Sequence, residues 1–303
     1  LIIFSLFILL SCTQENVDYT DLERREGLYY KKVSDVLFSG KVIGSLQGKI
    51  IKGKREGVWL SYYENEQLEW KLNYKDNKRD GAAFEYARNG QLTRKGNFKD
   101  NKRDGDWVYD FSSEGLNKSV HKGKFKNGKM DGQWISTDHG KVTKIESYKE
   151  GIRHGEWLWY SENGNLHSKE SYKDGMKHGE WSEYYYNGQL NWKVSYKNDN
   201  EDGEGLGYYE NGQLRFKHYM KGYKEEGESV KYYDNGQLKF RTYRKDGKQE
   251  GEWVWYYKNG QLEEIEIYKD GERDGEWLWY SENGQLTKTE IWKDDKLIEK
   301  IEH

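Results

Sequence analysis

The chain has no proline and a single cysteine in its 303 residues. A long paired sheet excludes proline from strand interiors, whereas proteins built of helices and loops seldom reach this length without it. One cysteine excludes a disulfide framework within the chain and leaves no thiolate cluster for a metal ion. We therefore expect neither a disulfide scaffold nor a metal or other cofactor.

An excess of basic charge is also missing. Lys and Arg number 50 against 53 Asp and Glu, which gives a formal net charge of −3, and both signs are mixed along the whole chain. Nucleic-acid binding requires a basic face that displaces counterions from phosphates. The charge pattern therefore predicts no nucleic-acid partner.

Aliphatic residues are scarce. Hydrophobic residues make up only 34% of the chain and the mean hydropathy is −1.18, values typical of disorder. However, the chain has 13 Trp, 26 Tyr and 9 Phe, and aromatic side chains supply the burial that disordered segments lack. This combination predicts a thin folded object packed by aromatic residues.

The first ten residues form an apolar run that is too short to span a bilayer and has the length of a signal-peptide core. The run ends in Leu-Leu-Ser before Cys12, which resembles the bacterial lipobox. We interpret residues 1–11 as a lipoprotein signal peptide and Cys12 as the lipidated residue. An ordinary secretory peptide or a chance apolar N-terminus is the alternative.

The predicted localisation follows from Cys12. Its lipid would hold the protein at a bacterial cell envelope, facing the periplasm or the outside, whereas the chain is cytoplasmic if the signal is not one. Residues 12–35 are polar and without a convincing period, so we predict a tether between the membrane and the rest of the chain.

From residue 36 to residue 303 the chain repeats itself. Glycines recur with spacings of 24, 24, 27 and 23 residues and then 24 five times, and equal periods of this kind mark a tandem array. A weaker unit around Gly40 precedes them, which gives ten or eleven repeats. The glycines are Gly57, Gly81, Gly105, Gly132, Gly155, Gly179, Gly203, Gly227, Gly251 and Gly275.

Each repeat reads as a β-hairpin. In residues 251–274, an aromatic and β-branched stretch is followed by Asn259-Gly260, a strong signal for a type I′ turn, and then by a second strand at 262–268. Asp270-Gly271 turns the chain again. No room remains for a helix, so we predict an all-β fold, an elongated antiparallel meander or solenoid.

Two aromatic positions recur along the array, and strand alternation places them on opposite faces of the sheet. Tryptophans occupy the first position and tyrosines the second, so that aromatic ladders are expected. They are Trp59, Trp107, Trp134, Trp157, Trp181, Trp253 and Trp277, and Tyr62, Tyr86, Tyr160, Tyr184, Tyr208, Tyr232, Tyr256 and Tyr280.

The recurring strings Tyr-x-x-Asn-Gly-Gln-Leu, Tyr-Lys-Asp-Gly and Gly-Glu-Trp resemble the bacterial variant of the MORN repeat, and more specifically the YwqK family of antitoxin components. The resemblance covers about residues 36–303. It implies an elongated β-hairpin array and a non-enzymatic binding role. Asn-Gly-Gln-Leu stands intact at residues 89–92, 187–190, 211–214, 235–238, 259–262 and 283–286.

Candidate catalytic groups recur in the same way. Six glutamates stand at one position of successive repeats, and an active site requires a unique constellation, so we interpret them as solvated strand residues. They are Glu156, Glu180, Glu204, Glu228, Glu252 and Glu276. His154 and His178 lie 24 residues apart without a third ligand, and Asp or Glu replaces them in other repeats, which favours a polar turn. We predict that the protein is not an enzyme.

Departures from the repeat are candidate partner sites. Asn-Gly is replaced at residues 113–115 and 138–140, which could form a bend or a bulged loop. The recurring Trp is replaced by Gly205 and Ser229, which could open a concavity in the aromatic face. Drift in a tolerant array is the alternative for both.

The predicted function is an envelope-anchored protein-binding scaffold whose partner could be a toxin. One alternative is carbohydrate or cell-wall binding through the aromatic ladders, since exposed Trp and Tyr rings stack on sugars. A structural spacer is the other. For the binding face we predict Trp157, Trp181, Trp253 and Trp277.

Overall fold

The computed structural model describes residues 15–112 and 118–303. The predicted signal peptide, the lipidation residue Cys12 and the irregular loop at 113–115 lie outside the described residues. The chain divides into two compact units, Leu1–Gly140 and Lys141–His303. Each unit is an antiparallel meander, which confirms the all-β prediction.

In its described residues the first unit contains a short 3₁₀ helix at Tyr19–Asp21 and twelve strands. The strands are β1 (Asn16–Asp18), β2 (Leu22–Arg25), β3 (Leu28–Lys31), β4 (Gly40–Ile43), β5 (Leu46–Ile51), β6 (Lys54–Tyr62), β7 (Leu68–Lys75), β8 (Lys78–Tyr86), β9 (Leu92–Lys99), β10 (Lys102–Asp110), β11 (Ser119–Lys126) and β12 (Lys129–Asp138).

Strands β4 to β12 pair in chain order, each antiparallel to the next. Strand β1 pairs parallel with β4, while β2 and β3 form a separate hairpin. Val17, Leu22 and Tyr29 from these first strands are buried against Trp59 and its neighbours. The prediction of a tether is therefore wrong for residues 16–31, because three apolar side chains in this polar segment suffice to fix it to the array.

The second unit contains twenty strands. They are β13 (Lys141–Lys149), β14 (Ile152–Arg153), β15 (Gly155–Tyr160), β16 (Leu166–Lys173), β17 (Met176–Lys177), β18 (Gly179–Tyr184), β19 (Leu190–Lys197), β20 (Asn200–Glu201), β21 (Gly203–Tyr208), β22 (Leu214–Lys221), β23 (Lys224–Glu225), β24 (Gly227–Tyr232), β25 (Leu238–Lys245), β26 (Lys248–Gln249), β27 (Gly251–Tyr256), β28 (Leu262–Lys269), β29 (Glu272–Arg273), β30 (Gly275–Tyr280), β31 (Leu286–Lys293) and β32 (Lys296–Glu302).

The turn at the Asn-Gly of each Asn-Gly-Gln-Leu string is not of type I′, contrary to the prediction. The N–H of Gly260 donates to the Tyr257 carbonyl at 2.9 Å, and only Gly260 of the Asn-Gly pair has a positive φ, at +86°. This is a type I turn followed by one left-handed residue, and the Asn259 side chain holds it by accepting the N–H of Gln261 at 2.9 Å. The type I′ turn occurs instead at Asp270-Gly271, where both residues have positive φ.

The glycines that define the period lie inside strands and not in turns. Gly251 has φ +70° and forms a β-bulge between β26 and β27. Such a bulge leaves one residue unpaired and requires a left-handed backbone that glycine adopts without strain. The prediction that these glycines open each repeat is correct in position but wrong in conformation.

Side chains join each hairpin turn to the next repeat. The hydroxyl of Tyr257 donates to the Tyr280 carbonyl at 2.8 Å, and the Asn259 amide donates to the Glu282 carbonyl at 3.0 Å. The same tyrosine bond recurs from Tyr185 and Tyr209. Because the acceptors are backbone carbonyls, these bonds depend little on the sequence of the next repeat.

In the first unit the recurring tryptophans pack on glycines of the preceding strand. Trp59, Trp107 and Trp134 are 0%, 2% and 1% exposed. A Cβ atom on Gly96 would lie 2.2 Å from the indole of Trp107, so only glycine fits beneath the ring. Ala83 takes the place of the tryptophan in one repeat and is also buried, a replacement that sequence reasoning missed.

Candidate functional site

The four tryptophans predicted as a binding face belong to the interior of the second unit. Trp157, Trp181, Trp253 and Trp277 are 4%, 8%, 8% and 7% exposed. They are therefore not available as an open surface, and the predicted binding face is wrong in this respect. Neighbouring side chains cover them, as the contacts of each ring show.

The indoles of Trp157 and Trp181 each pack between two tyrosines from the second strands of adjacent hairpins. The ring centroid of Trp157 lies 5.2 Å from that of Tyr148 and 5.7 Å from that of Tyr172, and Tyr172 lies 5.3 Å from Trp181. Edge-to-face pairs of this kind contribute about 0.5–1.5 kcal/mol each beyond their area burial. The ladder thus alternates Trp and Tyr on one face. The other tyrosine position is on the opposite face, where Ser182, next to Trp181, bonds Tyr184 at 3.4 Å.

Basic side chains cover the rim of this ladder. The guanidinium of Arg153 lies 4.7 Å from the Trp157 ring, and the ammonium of Lys177 lies 4.3 Å from the Trp181 ring. Arg273 lies 3.7 Å from the ring of Trp292. These cation–π contacts place a basic group of the chain itself over each of these rings.

The ladder is interrupted in the two repeats that lack the tryptophan. A Cβ atom on Gly205 would meet the ring of His218 at 2.3 Å, so the histidine fills the space of the missing indole. The Nε2 atom of His218 lies 2.6 Å from the Glu201 carboxylate. The predicted concavity at Gly205 is therefore occupied.

The second interruption is also polar. Ser229 is buried and its hydroxyl donates to the carboxylate of Glu225. The Nε atom of Arg244 lies 3.0 Å from the same carboxylate. In these repeats acids replace the basic residues that cover the ladder elsewhere, and Arg244 takes the place of a ladder tyrosine, so that ion pairs substitute for ring contacts.

A second row of aromatic side chains lies beside the buried one and is partly exposed. We call it the outer aromatic row: Trp159, Trp192, Phe216, Phe240, Trp255 and Trp279. Trp159, Trp255 and Trp279 stand two residues after a buried tryptophan, and each contacts it at 5.8–6.0 Å between centroids. Sequence reasoning missed this row, although the recurring Trp-x-Trp spacing signals two rings on one face of a strand.

Charged side chains stand within the outer aromatic row. By strand register Lys144 is opposite Trp159, Glu183 is opposite Trp192, and Glu264 is between Trp255 and Trp279. The indole of Trp192 donates to Glu183 at 3.1 Å. The row therefore presents aromatic rings, acids and bases on one face of the second unit.

Two neighbouring acids on this face have perturbed ionisation. Burial raises the pKa of Glu264. Burial raises the pKa of Glu266 to about 7, and the nearby charge of Glu264 acts in the same direction while the Tyr268 hydroxyl opposes it. Glu266 therefore exchanges its proton near neutral pH. These strand glutamates, unlike the ones selected from the sequence, are the acids in an unusual environment.

The glutamates selected from the sequence lie on the opposite face. Glu156 and Glu204 each form an ion pair at 2.7 Å, with Lys169 and Lys217 respectively. All six are exposed: Glu156, Glu180, Glu204, Glu228, Glu252 and Glu276. Their placement agrees with the interpretation as solvated strand residues.

His154 and His178 lie at the bulge position beside the recurring glycine. The N–H of Asp174, in the turn of the next repeat, donates to His154 Nδ1 at 3.4 Å. Glu250 accepts the N–H of Asp270 in the same way at 2.8 Å. At position 154 a histidine can replace an acid because both accept a backbone N–H there. The residue is polar, as predicted, but it lies in a bulge and not in a turn.

A shallow cleft of about 320 Å³ lies on the corresponding face of the first unit. Its aromatic lining comes from Tyr63, Trp70, Tyr86 and Phe111, and Phe111 is 53% exposed. Glu85 and Arg94 stand beside the rings and pair at 2.8 Å. The cleft thus combines flat apolar surfaces with hydrogen-bonding groups.

Within residues 15–112 and 118–303, no group of three or more His, Cys, Asp or Glu side chains is placed to hold a metal ion. No helix in the described part of the chain is long and apolar enough to cross a membrane.

Comparison with known proteins supports a repeat family. No curated protein matches the chain. Two solved structures are similar: the "Crystal Structure of TcdB2-TccC3", at 14% identity over 83% of this chain and 13% of that chain, and the "Crystal Structure of TcdB2-TccC3-Cdc42", at 10% identity over 89% and 20%. The TM-score is 0.16 for both, too low to support an argument from them, and this chain spans at most a fifth of either.

The MORN repeat variant matches the chain eight times and covers more than half of it. The matched segments are residues 55–76, 79–100, 153–174, 177–198, 201–221, 225–246, 249–270 and 273–294. The irregular spacings after Gly105 and Gly132 lie between the second and third matches. The chain therefore belongs to the MORN repeat variant family.

Proposed function

We propose that this chain is a non-enzymatic protein-binding scaffold whose contact surface is the outer aromatic row of the second unit. The supporting observation is that six partly exposed aromatic side chains lie in register across the sheet from β15 to β30. Protein interfaces are enriched in Trp, Tyr and Phe at their centres, and a few such rings contribute most of the binding energy.

The charges in the row favour a protein over a purely apolar partner. Lys144, Glu183, Lys231, Glu264 and Lys288 alternate with the rings along the register. Mixed charges beside aromatic anchors give specificity, because a wrong partner leaves desolvated charges unpaired. An extended partner segment lying across the strands would meet ring and charge in turn.

Absence of catalysis is part of the proposal. The polar groups of the array recur once per repeat, whereas catalysis requires one constellation of nucleophile, base and stabilising donors. The two polar interruptions at His218 and Ser229 have their side chains engaged with Glu201 and Glu225. A binding surface explains why the same geometry recurs in each repeat, and binding requires no chemical reaction.

The resemblance to the YwqK family extends the proposal to an antitoxin or immunity role, in which the array holds a toxin through this surface. Lipid on Cys12 would anchor the array to the bacterial envelope, and lipoproteins of this kind carry more than one acyl chain, as stable anchoring requires. Replacement Cys12→Ser should release the protein from membranes into the soluble fraction. Normal membrane retention of that variant would rule out the anchor.

The proposal is tested by affinity capture with three forms of the chain. One is unchanged, one carries Trp159→Ser and Trp255→Ser in the outer aromatic row, and one carries Leu158→Ser and Leu278→Ser on the opposite face. Far-UV circular dichroism and thermal unfolding establish that all three fold. We expect one stoichiometric protein to be retained by the first and third forms and lost from the second.

Other outcomes of the capture contradict the proposal. Loss of the partner from the opposite-face variant alone would move the binding surface to that face. Retention of the same partner by all three forms would exclude both faces of the second unit. Capture of no stoichiometric protein by any folded form would support the structural-spacer alternative.

A second candidate function, carbohydrate binding, is favoured by the cleft of the first unit. Trp70 and the exposed Phe111 offer flat faces that stack on sugar rings, and Glu85 and Arg94 offer acceptors and donors for hydroxyl groups. Retention on purified cell wall, lost on Trp70→Ala, would support this function. The Trp255→Ser substitution in the second unit is its matched control.

A further inference from the structure

In the first repeat of the second unit, one strand position carries a lysine whose ammonium lies against two tryptophan rings. The ammonium of Lys144 lies 2.8 Å from the Glu146 carboxylate and 5.1 and 5.4 Å from the ring centroids of Trp157 and Trp159. The cation therefore has an acid beside it and two indole faces against it. Cation–π contacts of this type are worth about 0.5–2 kcal/mol, depending on solvent exposure.

The same arrangement recurs at the other end of the unit. The ammonium of Lys288 lies 3.3 Å from the centroid of the Trp279 ring and 3.3 Å from the Glu290 carboxylate. Lys144 and Lys288 occupy equivalent strand positions, as do Glu146 and Glu290, since 144 residues, six periods of 24, separate each pair.

In a third repeat the lysine position itself carries an acid. Glu264 stands where Lys144 and Lys288 stand, and Glu266 is equivalent to Glu146 and Glu290. By register Glu264 is opposite Trp255 on one side and Trp279 on the other. In the same way Glu266 is opposite Trp253, and the next strand brings Trp277 alongside.

We propose that Glu264 and Glu266, with the partly exposed ring of Trp255 beside them, bind a cationic side chain, Lys or Arg, supplied by the protein partner. This inference rests on the proposed function and names the chemistry of its partner. The charge balance supports it, because two acids share the face here, whereas Lys144 with Glu146 and Lys288 with Glu290 place one acid beside one lysine at the equivalent positions. The indole of Trp255 is available for the ligand, since no cation of the described residues lies over it.

The surroundings of Glu264 and Glu266 favour a bound cation that displaces the proton of Glu266. Burial and mutual repulsion raise the pKa of Glu266 to about 7. Charged or titratable neighbours are Tyr268 on the same strand, Arg273 and Lys288 on the following strands, and Arg244 over Trp253 on the preceding side. A bound cation favours the ionised carboxylate, so binding should strengthen as the pH rises through 7 and should release a proton.

The bound cation is a basic side chain of a protein segment. The pair lies within the outer aromatic row, with Phe240 on one side and Lys288 on the other, so that a chain crossing the strands could place one basic residue here and apolar residues on the rings beside it. The quaternary ammonium of a lipid headgroup shares the chemistry, and the experiment below separates the two.

The test measures binding of a trilysine amide peptide by isothermal titration calorimetry at low salt, with the unchanged chain and two charge-matched variants. Glu264→Lys supplies the missing cation from within the chain, as Lys144 does. Glu276→Lys makes the same charge change on the opposite face of an adjacent strand. We expect Glu264→Lys to weaken binding at least 10-fold and Glu276→Lys less than 2-fold.

Equal weakening by both variants would overturn the inference, because it would reflect net charge alone. Absence of binding to the unchanged chain, or binding of phosphatidylcholine vesicles in place of the peptide, would also overturn it. Glu264→Gln with Glu266→Gln, which keeps the side-chain size, should reproduce the loss and abolish the proton release seen with buffers of different ionisation enthalpy. A protein captured through Trp159 and Trp255 by the Glu264→Lys form would leave the scaffold function standing while this inference fails.

Discussion

The indole N–H of Trp181 donates to the backbone carbonyl of Ser171 at 2.9 Å. The same carbonyl accepts the backbone N–H of His178, the bulged residue before Gly179, also at 2.9 Å. The arrangement recurs at Trp253, whose indole and the N–H of Glu250 both meet the Tyr243 carbonyl. The Gly-x-Trp motif therefore works as one structural device. Glycine permits the bulge, and the tryptophan indole donates to the same carbonyl that accepts the N–H of the bulged residue.

Replacement of a bulge glycine tests the backbone part of this device. Gly251 has φ +70° and open space where a Cβ would project, so Gly251→Ala adds conformational strain without a clash. We expect the free energy of unfolding to fall by about 1–2 kcal/mol in urea denaturation. An unchanged midpoint would show that the bulge does not require glycine.

Gly205→Ala tests a different role of glycine. Its backbone is not left-handed, but the new methyl group would meet the ring of His218. Overpacking of this kind costs about 1–3 kcal/mol, because the ring must leave its place beside Glu201. A combined Gly205→Ala and His218→Ala variant should recover part of this loss in the same denaturation assay. No recovery would exclude the steric explanation.

The two tryptophan rows should differ in their response to truncation. Trp253→Phe removes the bond to Tyr243 and leaves a void in a buried site, and we expect a loss of about 1–3 kcal/mol in the free energy of unfolding. Trp255→Phe, two residues away on the partly exposed row, should cost less than about 1 kcal/mol. Equal losses in chemical denaturation would contradict the division into a structural and a surface row.

The ionisation of Glu266 makes stability depend on pH. Its folded-state pKa of about 7 lies above the usual value of 4.5, so between these values the folded chain holds more protons than the unfolded chain. Stability from this group is therefore greatest below about pH 4.5 and declines as the pH rises towards 7. Thermal unfolding across pH 4.5–8 should show a shallower decline for Glu266→Gln than for the unchanged chain. Parallel curves would falsify the assignment.

Within the second unit, local stability should be lowest in the two repeats without the recurring tryptophan. Their carbonyls at Ser195 and Tyr219 accept only the bulge N–H, and ion pairs replace the ring contacts of the ladder. Hydrogen exchange measured by mass spectrometry should therefore be faster in residues 203–245 than in 155–197 or 251–293. Uniform protection across the three segments would show that the ion pairs compensate fully.

The fold was predictable because the same sequence pattern recurs in successive repeats. Two strand segments and two glycine-containing turns in 24 residues leave one solution, the antiparallel meander. Turn types were less accessible, since Asn259-Gly260 satisfies both a type I′ turn and a type I turn with a left-handed glycine. In the folded chain the Asn259 side chain also reaches Glu282 in the next repeat, a contact that lies outside any single hairpin.

The candidate surface was only half predictable. Strand alternation places Trp253 and Trp255 on the same face, but which of them is covered depends on side chains from the two adjacent strands. Tyr268 and Arg244 pack on Trp253, and neither follows from the spacing of the tryptophans alone. The folding of residues 16–31 was missed for a similar reason, because Val17 and Tyr29 contact residues far along the chain.

The bonds from Tyr257 and Asn259 to carbonyls of the next repeat give the array a direction, since donors always point towards the C-terminus. They also make successive repeats interchangeable, because a carbonyl is present whatever residue carries it. Duplication or loss of one 24-residue segment of the gene product would restore every such bond at the new junction. Such an array can change its length in whole steps during evolution while the order of binding residues along it is shuffled.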